Sequence, residues 1–246
     1  MADTLTTERP HPAPRRSPVL RVLRVVGWTS LVSGLLILGF VAQQLFVTSW
    51  FAERAQAGLQ ERAVDYFAET ADEITETEYV PPTTVADQPA PEPIPILTEP
   101  APPPHEPFAV IRIPKLDKLR DGWTVVEGVD RSDLRNGAGH MVHTPLPGQP
   151  GNSVISGHRT TYGAPFGDLD KLGPGDIIEV ETALGTHRYE VVESVVVRPN
   201  ELWVTEPREG AWLTLTTCHP KFSSRRRLVV FAELVGGPNA EAILQS

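Results

Sequence analysis

Between about Val25 and Val47 the chain carries an apolar run broken only by Ser, Thr, Gly and the Gln43-Gln44 pair. Some 23 residues at ~1.5 Å each reach ~35 Å, enough to cross a bilayer core of ~30 Å once. Arg9, Arg15, Arg16, Arg21 and Arg24 precede the run and no arginine follows it until Arg54. The positive-inside rule then predicts a single-pass protein of the cell membrane, with a cytoplasmic tail over 1–24, a transmembrane helix over 25–48 and an extracytoplasmic remainder. A cleaved signal peptide is the competing reading, because Ala55-Gln56-Ala57 has the A-x-A form of a cleavage site. The run is long for such a signal and the A-x-A stands well past its apolar end, which favours the anchor.

The segment after the run is not core-forming. Residues 49–107 are acidic at first and then dominated by Pro, Ala, Thr and Glu, a composition that favours extended polyproline II. Part of the stretch from Glu53 to Glu78 could continue as a short helix, and the whole reads as a linker that spaces a folded domain from the membrane. Only residues 108–237 are left to bury a core, about 130 residues and so one compact domain. Residues 238–246 form a C-terminal tail. The net charge of -9 and the lack of a basic stripe exclude a nucleic-acid partner.

Beyond Phe108 short β-type runs alternate with Gly, Pro, Asn and Asp turns: VIRI, WTVVEG, SVISGH, IIEVET, HRYEVVESVVV, WLTLTTC and RLVVFAEL. No helical-period stretch of ten residues competes with them. The pattern predicts an all-β barrel or sandwich, in which closure protects the strand edges.

Three residues stand where such strands end. Cys218, the only cysteine, closes the run from Leu213 and precedes His219-Pro220, which stops the strand. A lone cysteine is by default a small buried hydrophobe, but a rim position suits a reactive thiol. His158 follows Val154-Ile155-Ser156-Gly157, with His140, His143 and His219 as rivals in the same domain. Arg227 opens the last run after Arg225-Arg226, which read as a solvated turn.

Taken together, SGHRTTYGAPFGDLDKLGPGD, TLTTCHPKFSSRRRLVV and the upstream IPKL and TPLPGQPGN closely resemble the sortases, over about Ile111 to Leu234. The HRTTYG and TCHP variants resemble the class E, housekeeping-type sortases of high-GC Gram-positive bacteria. The resemblance implies an eight-stranded β-barrel in which His158, Cys218 and Arg227 meet at one end, and a cysteine transpeptidase (hydrolase or transferase) that anchors proteins to the cell wall. It implies cleavage of an LAxTG/LPxTG-like sorting signal between Thr and Gly through a thioacyl-enzyme, with transfer to a peptidoglycan amine. Thr161, Tyr162 and Thr217 would shape the groove for the signal. No Cys/His or carboxylate spacing spells a metal site, and no cofactor is expected.

The order His158 then Cys218 is the reverse of that in papain-like enzymes, and there is no SHGC-type stretch as in L,D-transpeptidases. Two alternatives stand beside the housekeeping reading. One is a pilin-polymerising sortase, and the other a non-catalytic, membrane-tethered β-domain that binds a wall partner.

Overall fold

The computed structural model describes residues 18–82 and 91–245. It comprises two compact units, one up to Gln43 and one from Gln44 onwards. In the first unit the helix α1 (Pro18–Ala42) has none of its residues buried, and by length and composition it can cross a membrane. It begins seven residues before the expected start at 25, inside the stretch read as a cytoplasmic tail, whose residues 1–17 lie outside the described residues.

The second unit is built on a closed eight-stranded barrel, as the resemblance implies. After α2 (Thr48–Thr70) and the hairpin β1 (Thr75–Tyr79) and β2 (Ile94–Thr98), the barrel strands are β3 (Pro107–Arg112), β4 (Trp123–Glu127), β5 (Ala138–His140), β6 (Gly151–Ser156), β7 (Ile177–Thr182), β8 (Gly185–Val197), β9 (Ala211–His219) and β10 (Arg226–Gly236). They close in the order β10-β8-β7-β3-β4-β5-β6-β9. Only β4–β5 and β6–β9 run parallel. All seven expected runs are strands. The eighth, β5, has three residues with Gly139 in the middle, too short to show a period.

Alternation sorts the strands into two faces. Ile111, Ile155, Tyr189, Leu213, Leu215, Val230 and Ala232 fill the interior. Val197, Val229 and Phe231 form a second cluster on the outside, roofed by Val204 from the β8–β9 loop. Asn152 holds that loop, its Nδ2 donating to the carbonyls of Val204 and Glu206 while its Oδ1 accepts from Thr214 Oγ1.

The stretch expected as an extended spacer is largely folded against the barrel, apart from residues 83–90, which lie outside the described residues. α2 packs on β3 and β4 through Ala52, Gln56 and Ala63, with Gln56 donating to Asn136 O (2.7 Å) and accepting from Thr124 N (2.9 Å). On β2, Leu97 exchanges two hydrogen bonds with the side chain of Asn239 (2.9 and 2.8 Å). Asn239 introduces α4 (Ala240–Leu244), where Ala240 and Ile243 join the core, so much of the expected C-terminal tail is packed. The proline-rich composition hid this because these contacts use small residues and carboxamides instead of an apolar stripe.

Candidate active site

The parallel pair β6–β9 builds the site. Its register pairs Ile155 with Leu215 and Ser156 with Thr216, and the Ser156 and Thr216 hydroxyls meet at 2.9 Å on one face. The ladder continues past the end of β6, with Gly157 N donating to Thr216 O (3.0 Å) and Thr217 Oγ1 donating to Gly157 O (2.8 Å). His158 follows Gly157 as Cys218 follows Thr217, so both residues stand one position beyond this last contact of the two strands. Gly157 is required there: a Cβ would lie 2.6 Å from the Phe166 ring.

Arg227 comes from the other flank. In the antiparallel pair β9–β10 it stands directly opposite Cys218, and on its far side it pairs with Val197, where β8 gives way to the β8–β9 loop. Cys218 and Arg227 share the outer face, adjoining the Val229–Phe231 cluster, where the parity of the strands places them opposite the core residues Leu215 and Leu228. His158, Cys218 and Arg227 are all half-buried. Arg227 Nη1 donates to the carbonyls of Ser224 (3.0 Å) and Arg226 (3.1 Å), while Arg225 and Arg226 are exposed.

The His158 loop is held in an uncommon conformation. Tyr162, Gly163 and Ala164 have consecutive positive φ values of 51°, 78° and 45°. Such strain persists only where surroundings over-determine it. Here Phe166 N donates to His158 O (3.1 Å), Ala164 N to Thr161 O (2.9 Å) and Lys118 Nζ to Gly163 O (2.6 Å), with Trp123 packed beneath Gly163. Tyr162 covers the His158 ring at a centroid separation of 5.0 Å. Burial holds the His158 imidazole below its usual range, favouring the neutral ring.

Two of the three rival histidines are otherwise engaged. His140 is buried, with Nδ1 on Glu127 Oε2 (2.7 Å) and Nε2 facing the Pro145 carbonyl and the Thr144 hydroxyl. Its ladder partner is Ile155, inside the barrel wall. His143 is exposed in a turn. His219 accepts at Nδ1 from Arg159 (2.9 Å). Among the described residues the His158 ring has no hydrogen bond, leaving both its nitrogens open to a reacting group. Of the three residues expected in the groove, Tyr162 and Thr161 are half-buried at its lip, whereas Thr217 is buried on the interior side, its hydroxyl turned to Gly157 O. Arg159, not singled out in the sequence, contacts the same strand end through Cys218 O and His219, about sixty residues away along the chain. No local sequence signal reports such a contact.

The described residues thus place a half-buried thiol at the end of β9, a guanidinium opposite it on β10, and an imidazole one residue past Gly157, which hydrogen bonds tie to Thr216 and Thr217. The sortase-domain family profile matches residues 111–235, and the chain belongs to the sortase family. It is 34% identical over 145 residues to the sortase SrtE1 of Streptomyces coelicolor, covering 54% of this chain and 41% of that protein. It is likewise 34% identical over 112 residues to sortase D of Bacillus subtilis, covering 45% of this chain and 54% of that one. The chain thus spans about half the length of these curated relatives or less. Among solved structures, sortase E from Streptomyces avermitilis superposes with a TM-score of 0.50 at 36% identity, covering 55% of this chain and 91% of that one. Sortase E1 from Streptomyces coelicolor, solved with a tripeptide in its active site, gives 0.51 at 32% identity, covering 56% and 94%.

Proposed function

We propose that this protein is a membrane-anchored cysteine transpeptidase that cleaves an LAxTG/LPxTG-like signal and joins the protein bearing it to a peptidoglycan amine. The observation that supports the reading is the pairing of Arg227 with Cys218 across β9–β10, beside a β6–β9 ladder whose last contacts, at Gly157 and Thr217, immediately precede His158 and Cys218.

Each step uses one of these groups. The Cys218 thiolate attacks the threonine carbonyl, and its electron pair forms the C–S bond as the carbonyl electrons move onto oxygen. Arg227 donates to that oxyanion, a role suited to guanidinium because it keeps its charge. The C–N bond to glycine then breaks, the nitrogen takes a proton from the His158 imidazolium, and a thioester remains. An acceptor amine adds to the thioester, His158 takes up its proton, and Cys218 leaves as thiolate. Burial disfavours the His158 cation and so favours its neutral ring in the free enzyme. Thr161 and Tyr162 border the bound signal, and Thr217 sets the ladder on which the site stands. The helix α1 supplies the membrane anchor, with the arginine-bearing end in the cytoplasm and the barrel outside.

The test is cleavage and amine transfer by the full chain in detergent, using LAxTG and LPxTG peptides with wild type and Cys218→Ala. Turnover by wild type, its loss in Cys218→Ala and formation of the amine adduct are expected. No turnover of either peptide, with Cys218 inert to a small thiol reagent, would favour a tethered binding domain instead.

A further inference from the structure

The residue after His158 is an arginine whose side chain is only 2% exposed, the far end of its ion pair with Asp170 being 49% exposed. Burying a guanidinium is costly because it cannot shed its charge. This one is also imperfectly satisfied, since its Nε is buried without a partner among the described residues. A core built for stability alone would favour an apolar side chain here, so the placement of the other donors matters. Nη1 donates to His219 Nδ1 (2.9 Å) and lies 3.4 Å from the Cys218 carbonyl, and Nη2 pairs with Asp170 Oδ1 (3.0 Å). Both partners of Nη1 belong to the strand end that carries the nucleophile. Asp170 sits in the turn Leu169–Lys171, which a second ion pair, Lys221 to Asp168 (2.9 Å), ties to the segment just after Cys218.

We propose that Arg159, backed by Asp170, is a positioning residue for Cys218: it clamps the backbone of the nucleophile to the loop of its acid/base partner and holds His219 as the neutral Nε2–H tautomer. The second effect comes from hydrogen-bond direction. A guanidinium has no acceptor, so the His219 nitrogen it contacts must carry a lone pair. His219 therefore cannot use Nδ1 as a proton donor beside Cys218. Since His158 and Arg159 are consecutive, the clamp couples the two halves of the site through a single peptide unit. This inference rests on the reading of Cys218 as nucleophile.

The test compares wild type, Arg159→Ala, Arg159→Lys and Asp170→Asn as full chains in detergent. Peptide cleavage and 15N spectra of selectively labelled histidines are the readouts. Arg159→Ala should lower kcat about 10- to 100-fold, the cost of misplacing a reacting group by about an ångström, with KM within about 2-fold. Its His219 signals should change from a single Nε2–H tautomer to a mixture while those of His158 persist. Arg159→Lys should recover part of kcat, since an ammonium still donates but cannot reach all three partners. If Arg159→Ala does not fold, Asp170→Asn must show the kcat loss in smaller degree. A folded Arg159→Ala with unchanged kcat, or with His219 still a single Nε2–H tautomer, would overturn the proposal. An inactive wild type would count against the nucleophile reading, while the His219 spectrum would still decide on the clamp.

Discussion

Arg227 faces Cys218 across the ladder, yet its Nη1 is turned back onto the carbonyls of its own loop. Among the described residues no hydrogen bond occupies the Nε or Nη2 of the fork, and the two carbonyls fix its direction. An ammonium would lose the fork, so Arg227→Lys is expected to reduce kcat/KM about 100- to 1000-fold, measured with the sorting-signal peptide. Tyr162 acts on His158 by covering it. Since burial is what depresses the His158 titration, Tyr162→Ala should move it upward toward the ordinary imidazole value, as followed by an NMR titration of the ring protons. No upward movement would show that the ring is desolvated by other neighbours. At this scale the sequence was partly legible. Cys218, His158 and Arg227 stood out because each ends or begins a β-type run, and the glycines of SGH and TYG mark close approaches to Phe166 and Trp123. Arg159 did not stand out, because its contacts with His219 and Asp170 exist only once β6 and β9 are paired.

Secondary-structure elements showed the same division. Seven barrel strands were legible from alternation and turns, α2 only as a short helix somewhere within 53–78, and β5 not at all. The buried positions of α2 are Ala52, Gln56, Ala63 and Thr70, a helical spacing carried by small and polar side chains that hydropathy does not register. The element is held by Gln56, whose carboxamide stands in for a peptide group between Thr124 N and Asn136 O. Asn239 does the same for β2 through Leu97 and reaches Gly148 O as well. Truncating Gln56 leaves the buried Thr124 N unpaired and truncating Asn239 the buried Gly148 O, at about 1–3 kcal/mol for a buried group, with part-buried partners adding less. Gln56→Ala and Asn239→Ala are each expected to lower unfolding free energy by ~2–4 kcal/mol in urea titrations of the full chain, with the peptide KM of the folded protein little changed. A loss under about 1 kcal/mol in both would mean that water replaces the carboxamides at no cost. A chain begun at Phe108 lacks α2 and the hairpin entirely, and should melt well below one begun at Thr48.

Across the whole molecule two buried groups oppose one another in their response to pH. Burial pushes the Glu99 carboxyl up from 4.5 to about 7, and the His187 imidazole down from 6.5 to about 4. Between pH 4.5 and about 7 the folded protein keeps a proton on Glu99 that the unfolded chain has lost, so stability falls as pH rises through that window. For His187 the unfolded chain takes up a proton that the folded protein refuses, so stability falls as pH drops from 6.5 to about 4. The two slopes offset each other where the windows overlap. Glu99→Gln should remove one of them, raising stability at about pH 8 by up to ~3 kcal/mol, leaving it little changed near pH 4.5, and exposing a rise between the two that wild type lacks. Melting curves across that range decide it, and equal gains at both ends would assign the effect to packing instead of titration. No sequence pattern foretold either shift, since both arise from residues far apart in the chain closing over an ionisable group. The barrel order carries a consequence of another kind. The strand β10 lies between β8 and β9, and it is the last of the eight in the chain. Because a polypeptide is made from its N-terminus, Cys218 on β9 emerges from the ribosome before Arg227, which faces it. The barrel stays open, with β8 and β9 presenting bare edges, until residues 226–236 have been made. A nascent chain paused before that point would therefore carry Cys218 and His158 without the arginine that pairs with Cys218 in the closed barrel.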